Sequence, residues 1–407
     1  EGAVASQRSG SASVSQTVVN IAKTCMGTGT LALPYAARQG GVLLHIVGLI
    51  AIASWNLYSI KRLLDCLVLL PNKDPPAPQG TSTLGRVAWY SLGHKGLVAL
   101  DIMMVMLLAG IVITYEDAIM SFLRDTPFTT NSLIFDAIGT SILIGILSVV
   151  PDMGYLAKAS ATGLTVLALT FIVIAWYGTF ETATNTSSLS LWPKDGMSGV
   201  STWFGVAVFG FGVVPLTYNM QESMAEPQRM IGASVVGLAA VAVSYWIIGI
   251  ALLMLYPDIT GDLLQELPKT GWLPTVVRLA MVVVVMVTAP LLVVPCGELL
   301  EGKISIHVPE PVLRTVMRLG ICVVCSIIAV SVPGFVQVLS FVGCFCVALV
   351  GFVMPPLLHL VLLWKQETWP DAVRTKRTIL CDALMLTWGI SATIITSIFT
   401  LREMASS

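Results

Sequence analysis

Long apolar runs without a charged side chain dominate the pattern of this chain. Such a run can cross a membrane as a helix if it has about 20 residues, because the hydrocarbon core is about 30 Å thick. The runs that are long enough cover residues 41–60, 159–180, 231–256, 279–297, 319–364 and 383–401. The run 319–364 is too long for one helix, and Pro333 with Gly334 predicts a tight turn that divides it into two.

Weaker apolar segments, each interrupted by polar residues or glycine, predict further helices. These segments are residues 17–37, 97–122, 133–150 and 202–220. With the uncharged runs they predict eleven membrane-spanning helices, which we number spans 1 to 11 in chain order. Residues 89–96, just before span 3, are predicted to form a short helix at the membrane surface. We therefore expect an all-α membrane protein.

The composition supports this class and argues against others. Hydrophobic residues make up 56% of the chain and charged residues 11%, whereas a soluble domain has about 25% charged residues. The net charge of −1 provides no basic field for DNA or RNA, so we expect the lipid bilayer and no nucleic acid as a partner. The four histidines have no metal-ligand spacing and no phosphate-binding GxxxxGK[ST] motif occurs. We expect neither an enzyme nor a bound cofactor.

The distribution of lysine and arginine predicts the orientation. If the N-terminus is cytoplasmic, the outer segments hold only Arg38, Arg124, Lys194, Lys269 and Arg402, and most other basic residues lie on the inner side. This bias is typical of cytoplasmic loops. Below, "inner" means the side of the N-terminus in this assignment. No targeting signal distinguishes the plasma membrane from a vacuolar or lysosomal membrane.

The spans predict one transmembrane domain with internal symmetry. We expect residues 1–16 and 402–407 to be flexible tails around a single domain, residues 17–401. Within it, spans 1 to 5 form one repeat and spans 6 to 10 a second, followed by an extra helix. The predicted bounds are about 17–180 for repeat one, 200–364 for repeat two and 380–401 for the extra helix.

Span 1 is predicted to unwind near the middle of the membrane. Gly27 and Gly29 flank Thr28 about ten residues into the span, and each glycine costs a helix about 1 kcal/mol relative to alanine. Span 6 repeats the pattern with 209–212, Phe-Gly-Phe-Gly, followed by Pro215, which lacks an amide hydrogen. Interrupted helices at matching positions of two repeats are typical of secondary transporters with a site at the midplane. Close helix packing through small residues is the alternative interpretation.

These segments resemble the amino acid/auxin permease family of the amino acid, polyamine and organocation superfamily. The resemblance rests on GTGTLALPYA with the GG that follows (from Gly27), on YLAKAS at 155–160, and on QESMAEP at the end of span 6. It implies the five-plus-five inverted repeat of the bacterial leucine transporter fold and amino acid transport by alternating access. Span 6 departs from the family pattern, with Gly212 and Val213 where an acidic residue or histidine is usual, so the resemblance does not identify the substrate.

A helix broken in this way offers complements to both charges of an α-amino acid. Free amides at the start of the outer half, from about Thr30, would bind the carboxylate, and carbonyls freed near Cys25, Met26 and Phe209 would accept from the ammonium. Aromatic rings are candidate walls or gates. The expected substrate contacts are Cys25, Met26, Gly27, Thr28, Gly29, Thr30, Tyr115, Phe209, Gly210, Phe211 and Gly212. A pocket without its own fixed charge favours neutral side chains.

Lys23 is the candidate ion-coupling residue. It lies one turn before Gly27 on the same helix face, where a buried ammonium is costly enough to suggest a function. A lysine here resembles proton-coupled relatives, whereas sodium-coupled neutral amino acid transporters resemble this stretch with asparagine. We expect the ammonium to replace sodium opposite Thr288, with a proton as a possible co-substrate. Snorkelling of Lys23 to the inner interface is the alternative.

The other ionisable residues near span ends are mostly interpreted as solvated helix ends, and Glu298 alternatively as the partner of a cytoplasmic lysine or arginine in an inner gate. These residues are Asp101, Glu116, Asp117, Asp136, Glu298 and Glu301. Each lies within about two turns of an expected interface.

We therefore predict a secondary transporter of amino acids, favouring neutral substrates and either proton coupling or sodium-independent transport. One alternative is an amino acid sensor of the same fold that binds without net flux. Another is a transporter of auxin or of another amine or organic acid, which a backbone site would also admit.

Overall fold

The computed structural model describes most of the chain. The described residues are 10–70, 76–149, 153–180, 189–303, 309–332, 334–365 and 376–406. Within them, nine helices are long and apolar enough to cross a membrane, and Leu133–Val149 is a shorter apolar helix. Span 1 consists of two short helices, so the predicted set of spans is present and the all-α membrane fold is confirmed.

The α-helices are numbered in chain order. They are α1 (Val14–Cys25), α2 (Leu33–Gly40), α3 (Val42–Val68), α4 (Thr83–Leu123), α5 (Leu133–Val149), α6 (Met153–Phe180), α7 (Met197–Gly210), α8 (Thr217–Ser223), α9 (Met230–Leu255), α10 (Trp272–Thr288), α11 (Pro290–Glu301), α12 (Glu310–Ser331), α13 (Phe335–Val342), α14 (Met354–Lys365) and α15 (Lys376–Ser406). Spans 1, 6, 8 and 10 each contain two of these helices, and the other spans contain one.

Both ends of the described chain are more ordered than the predicted tails suggest. Helix α1 takes in residues 14–16, and the Ala12 amide donates to the Ser223 carbonyl at 2.9 Å. At the other end, α15 continues through Ser406. Helix propagation costs little once a helix is nucleated, which favours such extensions beyond the apolar run.

Helix α4 contains the predicted surface segment as well as span 3. Its backbone leaves helical geometry at Gly93, where φ is 71° and ψ is −158°. Only glycine adopts this left-handed region without strain. The helix therefore changes direction at Gly93, inside the segment 89–96.

The two repeats pack with a constant offset of five spans. Span 1 packs on span 6 through α2 and α7, span 2 on span 7 through α3 and α9, span 3 on span 8 through α4, α10 and α11, and span 4 on span 9 through α5 and α12. Pairs with another spacing also occur twice, once from each repeat. Span 5 packs on span 8, and span 10 packs on span 3, which is the equivalent pair with the repeats exchanged. This pairing is what a five-plus-five repeat requires.

Span 11 is attached to the bundle through a buried ionic cluster near the inner ends of three spans. Asp382 of α15 is fully buried, lies 2.8 Å from Nε of Arg62 and 2.6 Å from Nδ1 of His359, and accepts a hydrogen bond from Tyr58. Arg62 also pairs with Asp65 at 2.8 Å. A buried carboxylate needs such partners, since an unpaired one is costly. The cluster joins α3, α14 and α15.

The loop between α9 and α10 covers the outer side of span 1. The Leu263 amide donates to the Leu31 carbonyl at 3.1 Å. Arg278 of α10 is 1% exposed, and its guanidinium donates to three loop carbonyls at 2.9–3.0 Å. The accepting residues are Leu264, Leu267 and Pro268. Hydrogen bonds to the backbone of the loop therefore hold it in place, in addition to side-chain packing.

Three carboxylates lie buried where this loop meets the outer end of α4. Glu116 is fully buried, Asp117 is 6% exposed and Asp262 of the loop is fully buried. Asp262 accepts from Ser121 at 3.2 Å and from Gln265 at 2.8 Å. The interpretation of Glu116 and Asp117 as solvated helix ends is wrong, because the loop and neighbouring helices exclude water from this end of α4.

Spans 6 and 10 approach each other closely enough to exclude a side chain between them. A methyl group added at Gly343 would lie 1.9 Å from the Gly205 carbonyl oxygen, and one added at Gly205 would lie 2.1 Å from the Ser340 carbonyl oxygen. Both obstacles are backbone atoms, which cannot rotate away as a side chain can. Span 10 also widens to π-helical turns over Gly343–Val347 and Leu349–Val353.

Gly343→Ala is expected to lower the free energy of unfolding by about 1–3 kcal/mol, the usual cost of overpacking. The thermal midpoint of the detergent-solubilised protein measures the effect. Gly320→Ala in α12 is the control, since a methyl group there meets nothing within 4 Å. Equal midpoints for the two variants would contradict the close approach of spans 6 and 10.

Docking of the outer loop is expected to weaken as the pH rises. Burial raises the pKa of Asp262 from 3.8 to about 6, although its hydrogen bonds oppose the shift. Between these two pKa values the docked loop retains a proton that the undocked loop releases. Docking is therefore strongest below the ordinary pKa of 3.8. Its free energy weakens by up to about 1.4 kcal/mol per pH unit until the pH passes about 6.

Hydrogen exchange of the Leu263 and Leu264 amides, corrected for intrinsic rates, tests this expectation. Protection is expected to be greater at pH about 4.5 than at pH about 7.5 in the wild type and in Asp258→Asn, whose carboxylate is exposed. Asp262→Asn is expected to reduce the difference. Protection that is independent of pH in the wild type would contradict the buried acid.

Candidate binding site at the two helix breaks

Span 1 loses its helix midway, as predicted. Helix α1 ends at Cys25, and Met26 (φ −81°, ψ 84°) and Gly27 (φ −121°, ψ −161°) are non-helical. A 3₁₀ turn over Thr28–Ala32 then leads into α2. Two half-helices with separate ends therefore meet near the middle of span 1.

The outer half-helix presents backbone amides to the break. It begins at Thr28, two residues earlier than the predicted start at Thr30. The Thr30 amide and hydroxyl both donate to the Gly27 carbonyl, at 3.1 and 2.7 Å. The Thr28 and Gly29 amides have no acceptor in the described part of the chain. Amides at a helix start, with the positive end of its dipole, are suited to bind an anion.

Thr28 contributes a second unpaired donor. Its side chain is 5% exposed, and its hydroxyl has no hydrogen-bond partner among the described residues. Buried hydroxyls are usually hydrogen-bonded. An unpaired one beside two unpaired amides is a candidate contact for a polar ligand.

Span 6 is interrupted at the predicted place. Helix α7 ends at Gly210, and a turn leads to the 3₁₀ segment Val214–Leu216 and then α8. The Gly212 amide donates to the Phe209 carbonyl at 3.2 Å. The sequence predicted that the Phe209 carbonyl would be free to accept from a ligand. In the structure it already accepts one hydrogen bond within the turn.

The Cys25 carbonyl, another predicted acceptor, also has partners. It accepts from the Tyr245 hydroxyl at 2.5 Å and from the Gly27 amide at 3.0 Å. The same hydroxyl lies 2.9 Å from the Gly210 carbonyl. The Met26 carbonyl accepts no hydrogen bond in the described chain. Of the three predicted acceptors, the carbonyls of Cys25, Met26 and Phe209, it is therefore the one that remains available to a ligand.

The two phenylalanines of span 6 support the breaks by packing. A methyl group at Gly29 would lie 2.9 Å from the Phe209 ring, so Gly29 makes room for that ring. Phe211 is 1% exposed, and its ring meets that of Tyr245 edge-on with centroids 5.2 Å apart. Neither ring lines the larger cavity described next.

A cavity of about 380 Å³ lies beside the break in span 1. This size is within the usual range for a small-molecule site. Most of its lining is apolar and comes from spans 5 and 8. The predicted site residues that line it are Lys23, Met26, Gly27, Thr28, Tyr115 and Thr288. Thr30 lines a neighbouring cavity of about 260 Å³ instead, together with Met26.

Lys23 and Thr288 face the same cavity, although they are far apart in sequence. Lys23 is partly exposed to this space, and no carboxylate of the described residues lies within ion-pair distance of its ammonium. The Thr288 hydroxyl donates to the Val284 carbonyl at 2.7 Å, in the last turn of α10. Lys23 thus places a positive charge one turn below the unpaired amides.

Tyr245 was not anticipated from the sequence. It lies in the uncharged run of span 7, where a tyrosine is easily interpreted as packing. The available signal was the hydroxyl itself, because a buried tyrosine hydroxyl usually has a partner. Its partners here are carbonyls that the helix breaks release, and their positions follow from the tertiary structure alone.

Comparison with known proteins agrees with this architecture. A family model described as "transmembrane amino acid transporter protein" matches residues 10–401. Amino acid transporter ANT1 of Arabidopsis thaliana is 25% identical over 416 residues, which cover 93% of this chain and 92% of that protein. The proton-coupled amino acid transporter-like protein pathetic of Drosophila melanogaster is 22% identical, over 93% of this chain and 84% of that protein.

The chain is also similar to a sodium-coupled relative and to a solved structure. The sodium-coupled neutral amino acid symporter 2 of Danio rerio is 24% identical, over 88% of this chain and 77% of that protein. The crystal structure of MhsT in complex with L-phenylalanine superposes with a TM-score of 0.52 at 13% identity, over 97% of this chain and 98% of that one. The structural likeness shows a shared fold.

The match to the family model covers nearly the whole chain, and the superposition covers 97% of it. The predicted fold is confirmed. This chain is a multi-pass membrane protein with the bacterial leucine transporter fold and belongs to the transmembrane amino acid transporter family, also called the amino acid/auxin permease family.

Proposed function

We propose that this protein is a secondary active transporter that moves neutral amino acids by alternating access, with proton coupling or without sodium. The observation that carries the proposal is the group of unpaired donors at the break of span 1. Thr28, whose amide and hydroxyl are both unpaired, lines a cavity of about 380 Å³, and the unpaired amide of Gly29 follows it in the chain.

The break can bind both charged groups of a zwitterion. The amides of Thr28 and Gly29, at the positive end of a helix dipole, suit the carboxylate. The unpaired Met26 carbonyl suits the ammonium. Recognition by backbone atoms leaves the amino acid side chain to contact the cavity walls, so related substrates can share the site.

The cavity walls favour a neutral side chain. Most lining residues are apolar, such as Leu164, Leu167 and Met281, and Lys23 supplies the positive charge among them. A cationic substrate would be repelled by that ammonium. An acidic side chain that does not reach Lys23 would lose its hydration against the apolar walls.

The position of Lys23 supports coupling that does not depend on sodium. Its ammonium faces the same cavity as Thr288, so a fixed cation already occupies this region. A second cation would be repelled by it. The relatives described above include a proton-coupled and a sodium-coupled protein, so a measurement of the coupling ion decides between them.

The outer loop supports alternating access. With Leu263 bonded to Leu31 and Arg278 holding the loop, the outer side of span 1 is covered, while Lys23 and Thr24 of its inner half line the cavity. Transport would require this loop to undock and the inner half of span 1 to close the cavity. We expect the N-terminus to be cytoplasmic and the membrane to be the plasma membrane or that of a vacuole or lysosome.

An amino acid sensor of the same fold is the second candidate, because the same donors would bind a ligand without flux. Transport of auxin or of another organic acid or amine is a third, since unpaired amides also suit a lone carboxylate. Binding of an amine or acid that lacks the second charge would favour the third candidate.

Uptake into liposomes that contain the purified protein is expected for a neutral amino acid. An inwardly directed proton gradient is expected to accelerate it, and replacement of sodium by choline is expected to leave it unchanged. The uptake of labelled amino acid under each gradient measures this. Saturable binding with no uptake would contradict transport and favour the sensor.

Lys23→Ala is expected to abolish the pH dependence of uptake, because the variant has no ammonium at the cavity. Lys61→Ala is the matched control, since Lys61 lies exposed near the inner end of α3. The measurement is the initial uptake rate at several external pH values. If Lys23→Ala keeps the pH-driven uptake of the wild type, Lys23 does not couple transport to protons.

A further inference from the structure

The two half-helices that end at the breaks direct their last carbonyls at one point. Helix α1 ends at Cys25 and α7 ends at Gly210. The Tyr245 hydroxyl oxygen lies 2.5 Å from the Cys25 carbonyl oxygen and 2.9 Å from the Gly210 carbonyl oxygen. Tyr245 belongs to α9 and is fully buried. One hydroxyl thus contacts both breaks.

The point occupied by this hydroxyl has negative electrostatic potential. Each half-helix carries the negative end of its dipole at its C-terminus, and the released carbonyls add partial negative charge. In transporters with broken helices, such ends coordinate a cation. Here a hydroxyl donor is in place instead, with its proton shared between two acceptors.

Tyr245 is held in position by groups from spans 2 and 6. Its backbone carbonyl lies 3.2 Å from Nε2 of His45, and Nδ1 of His45 accepts from the Trp203 indole at 3.1 Å. Because Nδ1 is an acceptor, Nε2 carries the proton and donates to Tyr245. His45 is fully buried and Trp203 is 3% exposed.

The ring of Tyr245 is also fixed from the side of span 6. Phe211 packs edge-on against it, with ring centroids 5.2 Å apart. A methyl group at Gly210 would lie 2.9 Å from the hydroxyl oxygen and 2.7 Å from a ring carbon. Gly210 therefore leaves room for the hydroxyl at the end of α7, and this glycine is explained by Tyr245 rather than by a ligand.

We propose that Tyr245 is a positioning residue that joins the two helix breaks and takes the place of a coupling cation between them. It sets the separation of Cys25 and Gly210, and through Gly27 it places the Thr28 amide at the cavity. The residue does not line the cavity itself. The inference rests on the proposed function, since it concerns how that binding site is assembled.

Uptake by Tyr245→Phe tests the proposal. Removal of the hydroxyl leaves the Gly210 carbonyl without a donor and the Cys25 carbonyl with the Gly27 amide alone. The KM for a neutral amino acid is therefore expected to rise at least tenfold while kcat changes less than threefold. Tyr218→Phe is the matched control. Tyr218, in the first turn of α8, is also buried, and its hydroxyl donates at 2.6 Å to the Leu63 carbonyl of α3, which neither break releases. Its KM is expected to stay within twofold of the wild type.

A second variant tests whether the hydroxyl replaces a cation. Tyr245→Ser removes the ring and leaves a space between the two carbonyls. Uptake by this variant is expected to have a lower KM in sodium than in choline, whereas the wild type shows no difference. An equal KM in both media would overturn the cation-replacement claim.

The outcomes separate this inference from the proposed function. A wild type that takes up amino acid, with Tyr245→Phe at the wild-type KM, overturns the role of Tyr245 alone. A wild type without uptake overturns both. If Tyr245→Phe does not fold, Gly210→Ala replaces it, because its methyl group displaces the hydroxyl and is expected to raise KM in the same way.

Discussion

The structure depends on the need of backbone groups in a membrane for hydrogen-bond partners. An intact helix satisfies its own amides and carbonyls, and lipid offers no replacement when the ladder is interrupted. This chain interrupts two helices, at Gly27 and after Gly210, so the released groups must be satisfied by other parts of the protein or by a ligand. The positions of the loop, the cavity and the buried tyrosine can be understood from that requirement.

The released groups are not all satisfied in the same way. Carbonyls are largely satisfied within the protein, by Tyr245 at Cys25 and Gly210 and by the turn at Phe209. The amides of Thr28 and Gly29 are left for another partner. The protein thus neutralises the negative ends of its half-helices and leaves the positive end of one open to the cavity, which is the arrangement expected for a site that binds a carboxylate.

Much of the fold could be predicted because it depends on local sequence. Uncharged runs identified the spans, and the glycines around Thr28 and before Pro215 identified both breaks, since propensity acts within a few residues. Lys23, Thr28, Tyr115 and Thr288 do face one cavity. The assignment of Phe211 as a wall does not match its position, because it packs on a tyrosine from another span.

Features that depend on distant parts of the chain could not be predicted. The burial of Glu116 and Asp117 requires the outer loop to fold over α4, and charge position alone suggested solvent. The role of Tyr245 requires α1, α7 and α9 to converge. A single sequence does not show which distant residues are in contact. A polar residue inside an apolar span indicates that a hydrogen-bond partner exists, but it does not identify that partner.

Competition between a neutral amino acid and its derivatives tests most directly whether the break binds a zwitterion. The methyl ester removes the carboxylate that the Thr28 and Gly29 amides would bind, and the N-acetyl derivative removes the ammonium. Both are expected to compete with the labelled parent at least tenfold more weakly, whereas amino acids with other small neutral side chains compete well. If the ester and the N-acetyl derivative compete as strongly as the parent, the main-chain groups of the break do not form the binding site.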